Sequence, residues 1–320
     1  MIDALASEPR LIVDVRLKPL AGSTFQPTGF PDLGAATFQR PGDQPALLVE
    51  SVQSMTNRLE DLGWDAPAGE PIETLSRLPY VEVVSANGGD LLTSSRLEPH
   101  RLAAAYIRDA TIDGSKGTDW IGERLGLRKG HPLDWAAIYR AVFELDPLCL
   151  LHGVFFSDQA WHGNPKVRRA VTAVIEALDV SPVVSGGVKR DDVQISVDKE
   201  TGGRGAEEGY GFVPFGRTEF SAREILLTAV VDLEQIRGYG LAAEEGELLE
   251  LLALWELGTL VSGPLRLRTA CDLDVTEIDV RRPRDFELPD AAQLAERIAE
   301  SPAKFDHQGA RSATWPAPKG

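Results

Sequence analysis

The stretch that decides the fold is LLVESVQSMTNRLE, residues 47–60. A short apolar run leads to Ser51, whose hydroxyl is suited to cap a helix, and apolar residues then recur at helical spacing. The pattern predicts a buried strand over residues 46–50 that enters an amphipathic helix over residues 51–64. The apolar stripe of that helix consists of Val52, Met55, Leu59 and Leu62.

An unusual loop precedes this corner, with the sequence FQPTGFPDLG at residues 25–34. Two prolines and two glycines exclude a helix, while two phenylalanines and Leu33 are more apolar than an ordinary solvated loop requires. A rigid loop held against a strand–helix corner is typical of a recognition surface. A loop that only covers its own core is the alternative.

The rest of the chain alternates between strand and helix patterns, which predicts an α+β sandwich with insertions. We expect a loop or hairpin tip over residues 198–211, and a disordered tail after the last helix. The expected hairpin 80–86/90–94 turns at Asn87-Gly88-Gly89. The other expected strands are 10–17, 149–157, 183–197, 224–236 and 265–280, and the other helices are 97–108, 132–145, 165–178, 244–261 and 291–300.

The charge balance argues against a free-standing nucleic-acid binder, because the 320-residue chain has a formal net charge of −16 and a pI of about 4.8. The charge is uneven, since residues 96–220 carry 18 acids and 16 bases and leave room for a local basic groove. Cys149 and Cys271 stand in apolar runs, which favours buried thiols in a reducing compartment. No apolar run approaches the ~20 residues that span a bilayer. We therefore predict a cytoplasmic protein without membrane contact.

Catalytic motifs are missing from the sequence: there is no phosphate-binding loop, dinucleotide fingerprint or nucleophile elbow. Cys149, His152 and His162 superficially suggest zinc, but on the expected strand residues 149 and 152 face opposite ways, so we predict no metal and no cofactor. His100, between Arg96 and Arg101, is the best candidate for acid–base work on an RNA backbone. Without a partner at readable spacing, phosphate contact or capping is the favoured role.

Residue types suited to phosphate and ribose contacts recur near the ends of expected elements. Free N–H groups at a strand–helix junction can hold a phosphate, and aromatic and guanidinium planes near a hairpin tip suit base stacking. Helix-surface amides, capping, a solvated charge pair and core packing are the respective alternatives. The candidates are Gln53, Asn57 and Arg58 on the first helix, Ser94, Ser95 and Arg96 at the junction, Lys189 and Arg190 after a glycine pair, and Phe212, Phe215 and Arg217.

Seven blocks in order resemble the backbone subunit of type I-G (formerly I-U) CRISPR effector complexes, a branch of the RAMP superfamily. The blocks are residues 25–34, 47–60, SSRLEPHRL at 94–102, LHGVFF at 151–156, GGVKRD at 186–191, GYGFVPFGRTEF at 209–220 and LRLRTACDL at 265–273.

This resemblance implies a ferredoxin-like (RRM-like) palm over residues 1–280, with a helical insertion at about 96–147 and an extended thumb hairpin at about 185–220. Residues 281–320 would then form a C-terminal helix and a tail. The candidate RNA-binding residues also include Gln26 and Thr28 in the loop at 25–34, and His100 and Arg101 after the junction.

The same resemblance implies a non-catalytic, crRNA-binding subunit that stacks in several copies along the guide and presents it to target DNA. Its implied partners are crRNA, further copies of itself, the other type I-G subunits and a recruited helicase–nuclease. A metal-independent endoribonuclease that uses His100 is the runner-up hypothesis. A small-molecule enzyme is the third.

Overall fold

The computed structural model describes residues 2–30, 34–189 and 213–316, and it has an α+β fold. Strands and helices are numbered here in chain order. The main sheet has seven strands in the order β18-β19-β1-β17-β14-β5-β4, and every neighbouring pair is antiparallel. Its strands are β1 (Leu11–Pro19), β4 (Thr37–Arg40), β5 (Gln44–Glu50), β14 (Val171–Leu178), β17 (Glu224–Val231), β18 (Leu265–Arg268) and β19 (Cys271–Arg282).

The main sheet buries one face of its central strands. Along β17, Ile225, Leu227, Ala229 and Val231 are buried, while the residues between them are partly exposed. Successive side chains of a strand point to opposite faces, so this alternation places one face against the helices. Neighbouring β1 and β14 repeat the pattern.

Eight helices accompany the sheets in the described ranges. The longest, α7 (Ala243–Val261), is apolar nearly all round and packs among α1, α5, α6 and α8, as expected for a core helix. None of the helices in the described ranges combines the length and apolar composition that a membrane crossing needs. The others are α1 (Val52–Asp61), α2 (Ala105–Asp109), α3 (Gly117–Arg124), α4 (Trp135–Leu145), α5 (Leu148–His152), α6 (Leu233–Gly238) and α8 (Ala291–Ala299), with 3₁₀ turns at Ile2–Leu5, Glu73–Leu75 and Arg101–Ala103.

The second sheet contains a strand from the expected disordered tail, so that expectation is wrong for residues 310–315. The order of this sheet is β11-β10-β20-β8-β9, and β20 runs parallel to β8. Ala313 of β20 is fully buried, so the tail is part of the core. The strands are β8 (Tyr80–Ser85), β9 (Leu91–Ser94), β10 (Thr111–Ile112), β11 (Ser115–Lys116) and β20 (Ala310–Trp315).

Four two-stranded pairs complete the described part of the chain. The longest pairs β15 with β16, and its Val184, Val188 and Phe215 are exposed. The loop expected at residues 198–211 lies outside the described residues. The pairs are β2 (Gly29–Phe30) with β3 (Gly34–Ala35), β6 (Trp64–Asp65) with β7 (Glu70–Pro71), β12 (Val154–Phe155) with β13 (Lys166–Val167), and β15 (Ser181–Lys189) with β16 (Val213–Ser221).

The decisive corner forms as expected. Ser51 caps α1 by accepting a hydrogen bond from the Ser54 backbone N–H at 3.2 Å, and Met55 and Leu59 are buried. The helix ends at Asp61, earlier than the expected residue 64. The structure also confirms the expected strand at 10–17, the 80–94 hairpin, and the helices near 132–145, 244–261 and 291–300.

Two expectations for the middle of the chain are wrong. The expected strand 149–157 is helix α5 followed by β12, because a short apolar run buried on all sides carries no period that separates helix from strand. The expected helix 165–178 is instead β13 and β14, where Val171, Ala173 and Ile175 alternate with partly exposed residues.

Three further boundaries differ. The expected helix 97–108 is a 3₁₀ turn followed by α2, with Arg101 in the left-handed region at φ 52°. The expected strand 224–236 ends at Val231 and continues as α6. The expected strand 265–280 is a hairpin that turns at Ala270, φ 58°.

Candidate nucleic-acid interface

A groove of about 610 Å³ opens where α1, the 3₁₀ turn at Arg101–Ala103, the β12–β13 pair and the start of β14 meet. We call it the basic groove, because its described lining residues include several basic side chains and no acidic one. It brings together four residues predicted from the sequence, Gln53, Asn57, His100 and Arg101. Its basic lining residues are His100, Arg101, His152, Lys166, Arg168 and Arg169.

Helix α1 supplies the polar wall of the basic groove. Because Met55 and Leu59 face the core, Gln53 and Asn57 are exposed one turn apart. Gln53 Nε2 donates to Asn57 Oδ1 at 3.2 Å, and Arg169 donates to Gln53 Oε1 from the other side. Both amides therefore stand at the surface with hydrogen-bonding capacity left.

The β12–β13 pair supplies the aromatic and basic wall. Phe155 is 46% exposed, and Lys166 Nζ lies 5.3 Å from the centroid of its ring. An exposed aromatic ring beside basic side chains suits the stacking of an unpaired nucleobase. Sequence reasoning missed this wall because the segment was expected to be helical. The signal available was the run KVRR at 166–169.

A buried hydrogen-bonded pair, His152 and Glu256, lies at the bottom of the basic groove. His152 Nε2 is 2.9 Å from Glu256 Oε1, and both side chains are at most 1% exposed. Burial lowers the pKa of His152, but the charge of Glu256 and the hydrogen bond to it raise that pKa, and the net shift is upward. Burial raises the pKa of Glu256.

The orientation expected for Cys149 and His152 is wrong, because both residues lie in helix α5 rather than on a strand. In α5, Cys149 and His152 are separated by three positions and share a face, rather than pointing apart as on a strand. Even so, within the described ranges no cluster of three or more His, Cys, Asp or Glu side chains could hold a metal ion. The ring of His152 is hydrogen-bonded to Glu256 instead.

The junction residues predicted to contact RNA are buried, so their prediction as surface contacts is wrong. Ser94, Ser95 and Arg96 are at most 7% exposed. Ser95 Oγ donates to Asp146 Oδ2 at 2.6 Å, and Arg96 Nη2 donates to the carbonyl oxygens of Leu78 and Pro79. These side chains hold the helical region against β8 instead.

Arg101 is also a structural residue, only 5% exposed. Its Nε and Nη2 bind both oxygens of Glu60 at 2.6 and 2.7 Å, and its Nη1 donates to the Gly153 carbonyl oxygen at 3.0 Å. Glu60 therefore offsets its charge below the surface. His100, next to it, is exposed at the rim of the basic groove.

Arg58 connects α1 to the far end of the main sheet. Its Nη2 donates to the Leu267 carbonyl oxygen at 2.5 Å, and its Nε lies 3.3 Å from Glu50 Oε1. Arg268 forms an ion pair with the same buried Glu50. Because these contacts occupy the guanidinium group, Arg58 has less capacity for RNA than its sequence position suggested.

A second groove, of about 730 Å³, lies between residues 26–29, β4 and the base of the β15–β16 hairpin. We call it the loop groove. It contains the predicted residues Gln26 and Thr28, together with Thr218 and Arg268. Gln26 Oε1 is buried and has no hydrogen-bond partner among the described residues.

Three of the remaining predicted residues, Lys189, Phe215 and Arg217, belong to the β15–β16 hairpin. Phe215 is 54% exposed, and Arg217 is half-buried in an ion pair with Glu219. The backbone of Lys189 pairs with Val213 in the hairpin. Arg190 and Phe212 lie outside the described residues, so their predicted roles stay predictions.

Residues 11–182, more than half of the chain, match the family described as CRISPR-associated protein GSU0053. The chain belongs to this family. No curated protein matches the chain significantly.

Two solved structures are distant likenesses of this GSU0053-family chain. A chain of a "CRISPR RNA-guided surveillance complex, pre-nicking" is 13% identical over 94% of this chain and 82% of its own, with a TM-score of 0.43. Csc2 of Thermofilum pendens is 11% identical over 95% of this chain and 74% of its own, with a TM-score of 0.30. Similarity at this level carries no argument here.

The two grooves differ in how much of their lining falls within residues 11–182, which match the GSU0053 family. Every described lining residue of the basic groove, from Gln53 to Thr172, falls within residues 11–182. The loop groove adds Thr218, Phe220 and Arg268 from beyond that range. The basic groove is therefore contained entirely in the segment that defines family membership.

Proposed function

We propose that this GSU0053-family protein is a non-catalytic, crRNA-binding backbone subunit of a type I-G CRISPR effector complex. The observation that carries the proposal is the basic groove. In a chain of net charge −16, six basic side chains line one groove with no acid among its described lining residues. Such a concentration fits a polyanion held by short-range contacts.

The elements have counterparts in the architecture that the resemblance implies. In the proposal, the main antiparallel sheet is the core of a ferredoxin-like palm spanning residues 1–280. Helices α2 to α4 form the insertion at about 96–147. The β15–β16 hairpin is the thumb, and its own pairing and exposed Val184, Val188 and Phe215 support that assignment. Residues 281–320 form a C-terminal segment.

In the proposed binding mode, a single strand of crRNA enters the basic groove. Lys166 and Arg168, both exposed, contact phosphates, and His100 contacts a phosphate at the rim. Gln53 and Asn57 face ribose hydroxyls. Such contacts fix the backbone and leave sequence to be read by base pairing with target DNA.

The strand continues in this proposal toward the loop groove, where Gln26 and Thr28 supply polar contacts. Thumb residues Lys189, Arg190, Phe212, Phe215 and Arg217 then separate bases of the guide. Because a net charge of −16 weakens long-range attraction to phosphate, tight binding requires several copies along one guide. In this proposal the other type I-G subunits complete the effector complex in the cytoplasm, and a helicase–nuclease is recruited to it.

The test is co-expression with a CRISPR array and the companion subunits. We expect Lys166→Glu/Arg168→Glu to lower the guide RNA that co-purifies, equally for unrelated spacers. The log–log salt slope of binding should fall by about 1.4, or ~0.7 for each lost single-strand phosphate contact. The matched control is Lys18→Glu/Arg281→Glu, two exposed bases outside both grooves. If both double variants load guide equally well, the basic groove is not the interface.

The runner-up, an endoribonuclease, makes a different prediction for His100. In our proposal His100→Ala weakens RNA binding modestly, and neither the wild-type protein nor the variant cleaves RNA. Denaturing gels of labelled guide and target RNA, incubated with the purified wild-type protein, test this directly. Cleavage that His100→Ala abolishes while binding is retained would establish the enzyme instead.

A further inference from the structure

The floor of the basic groove holds two nitrogen atoms that lack hydrogen-bond partners among the described residues, His152 Nδ1 and Arg169 Nε. Both residues line the groove. His152 is completely buried, and its other ring nitrogen is fixed 2.9 Å from Glu256 Oε1. An unpaired buried donor is costly, so such a site calls for a ligand atom or an ordered water.

The backbone brings these two side chains together. The Ala170 N–H donates to the Leu151 carbonyl oxygen at 2.8 Å, which joins α5 to the start of β14. Gly153 follows His152 at φ +80°, and a Cβ there would lie 3.2 Å from Arg169 Cγ and 3.1 Å from its backbone nitrogen. The stem of Arg169 therefore packs directly against the chain beside His152.

The charges around His152 come from four elements. Glu256 faces it from α7, Glu60 from α1, and Arg101 from the 3₁₀ turn, while Arg169 stands in the segment just before β14. Both oxygens of Glu60 are bound by Arg101. Glu256 is therefore the carboxylate that acts most directly on the ring, and through it the pKa of His152 is raised. The imidazolium form carries a hydrogen on both nitrogens.

We propose that the floor of the basic groove is a subsite for one phosphate group, with His152 Nδ1 and Arg169 Nε as donors and Glu256 orienting the ring. The inference rests on the proposed function and deepens it, since the phosphate belongs to the bound RNA strand. When the imidazolium loses its proton, Nδ1 or Nε2 stops donating, and the subsite weakens. Guide binding therefore declines as pH rises through the pKa of His152.

The experiment measures anisotropy of a 5′-fluorescein-labelled single-stranded RNA on the purified full chain, from about pH 6 to about pH 8.5. Wild-type affinity should fall about tenfold over this range, the worth of one charge-assisted hydrogen bond. His152→Gln keeps an N–H donor for Glu256 but removes the ring, so its affinity should be low and should fall less with pH than that of wild type. Arg168→Gln, at the rim, should bind more weakly with the wild-type pH dependence. Equal pH dependence in wild type and His152→Gln would overturn the subsite.

A second measurement uses the wild-type protein and no RNA, with sulfate as the probe because its charge is constant over this range. The His152 ring proton is followed by NMR, assigned against His100, His131, His162 and His307, which are exposed or half-buried. Sulfate should raise the apparent pKa of His152, and an unchanged titration would overturn the subsite even if His152→Gln failed to fold. Sulfate binding by a protein that takes up no guide RNA when it is co-expressed with its companion subunits would sink the proposed function alone. RNA binding that is independent of pH, without a sulfate effect, would sink the subsite alone.

Discussion

Phe25 and Phe220 exchange backbone hydrogen bonds, from Phe25 N to Phe220 O at 2.8 Å and from Phe220 N to Phe25 O at 3.0 Å. Both rings are buried, so the loop beginning at residue 25 is tied to the base of the β15–β16 hairpin. Two alternatives were open for this loop, recognition and core cover. Phe25 covers the core, while Gln26 and Thr28 face the loop groove.

Substitution of Phe25 tests whether the loop that begins at this residue is part of the core. Phe25→Ala should lower the free energy of unfolding by about 3–5 kcal/mol, because it empties a fully enclosed site. Phe215→Ala is the matched control, since that ring is 54% exposed, and it should cost about 0.5 kcal/mol or less. Urea denaturation followed by circular dichroism measures both. A loss for Phe25→Ala as small as that expected for Phe215→Ala would show that the loop is not part of the core.

Arg101 should act on stability rather than on RNA. Arg101→Met leaves Glu60 buried without its partner, which should cost about 3–5 kcal/mol. Adding Glu60→Gln removes the stranded charge and should recover part of that loss. Urea midpoints of both variants check the expectation. A stable Arg101→Met protein that fails to bind guide RNA would instead restore Arg101 as a direct RNA contact.

The His152–Glu256 pair should make stability depend on pH. Since the pKa of His152 is raised by folding, its contribution is fully present below the unfolded value of ~6.5 and is lost as pH rises through the folded pKa. The raised pKa of Glu256 acts in the same direction. The urea midpoint should therefore fall between about pH 6 and about pH 8.5. The fall should disappear in the double variant His152→Gln/Glu256→Gln, which removes both titrating groups, and persist when the exposed His131 is replaced by Gln; a midpoint that rises with pH would contradict the assignment.

The C-terminal strand offers a test with neighbouring residues on opposite faces. Ala313 is buried in β20 and Thr314 is exposed. Ala313→Asp should lower the free energy of unfolding by more than about 3 kcal/mol, because it buries an unpaired charge, whereas Thr314→Asp should cost about 1 kcal/mol or less. Thermal melting distinguishes them. If both are tolerated equally, residues 310–315 are not part of the folded core.

Periodic patterns located the elements that have one buried face and one solvated face. Helix α1 and strand β1 are of this kind, and both formed near their expected bounds. The pattern failed at residues 171–178, where Val, Ala, Ile and Leu mixed with Thr and Glu also suit a helix. There β17 and β5 pair with the segment from both sides, so tertiary context overrides local preference.

The same failure hid half of the candidate site. Gln53, Asn57 and His100 were found from residue type and position, but Lys166, Arg168 and Arg169 were not. These bases come close to α1 only because residues 166–178 are extended and β14 packs beside that helix. A helix over the same residues would have dispersed them around its axis.

By itself, the sequence determined the acidic balance, the α+β class, the helix cap at Ser51 and the resemblance of its motif blocks to a CRISPR subunit. Only the tertiary structure decided which polar residues face solvent. Ser95 and Arg101 look like ligand contacts in the sequence, yet their partners are Asp146 and Glu60, at separations of 51 and 41 residues. Periodicity reports the local chain, whereas burial depends on segments brought together from far along it.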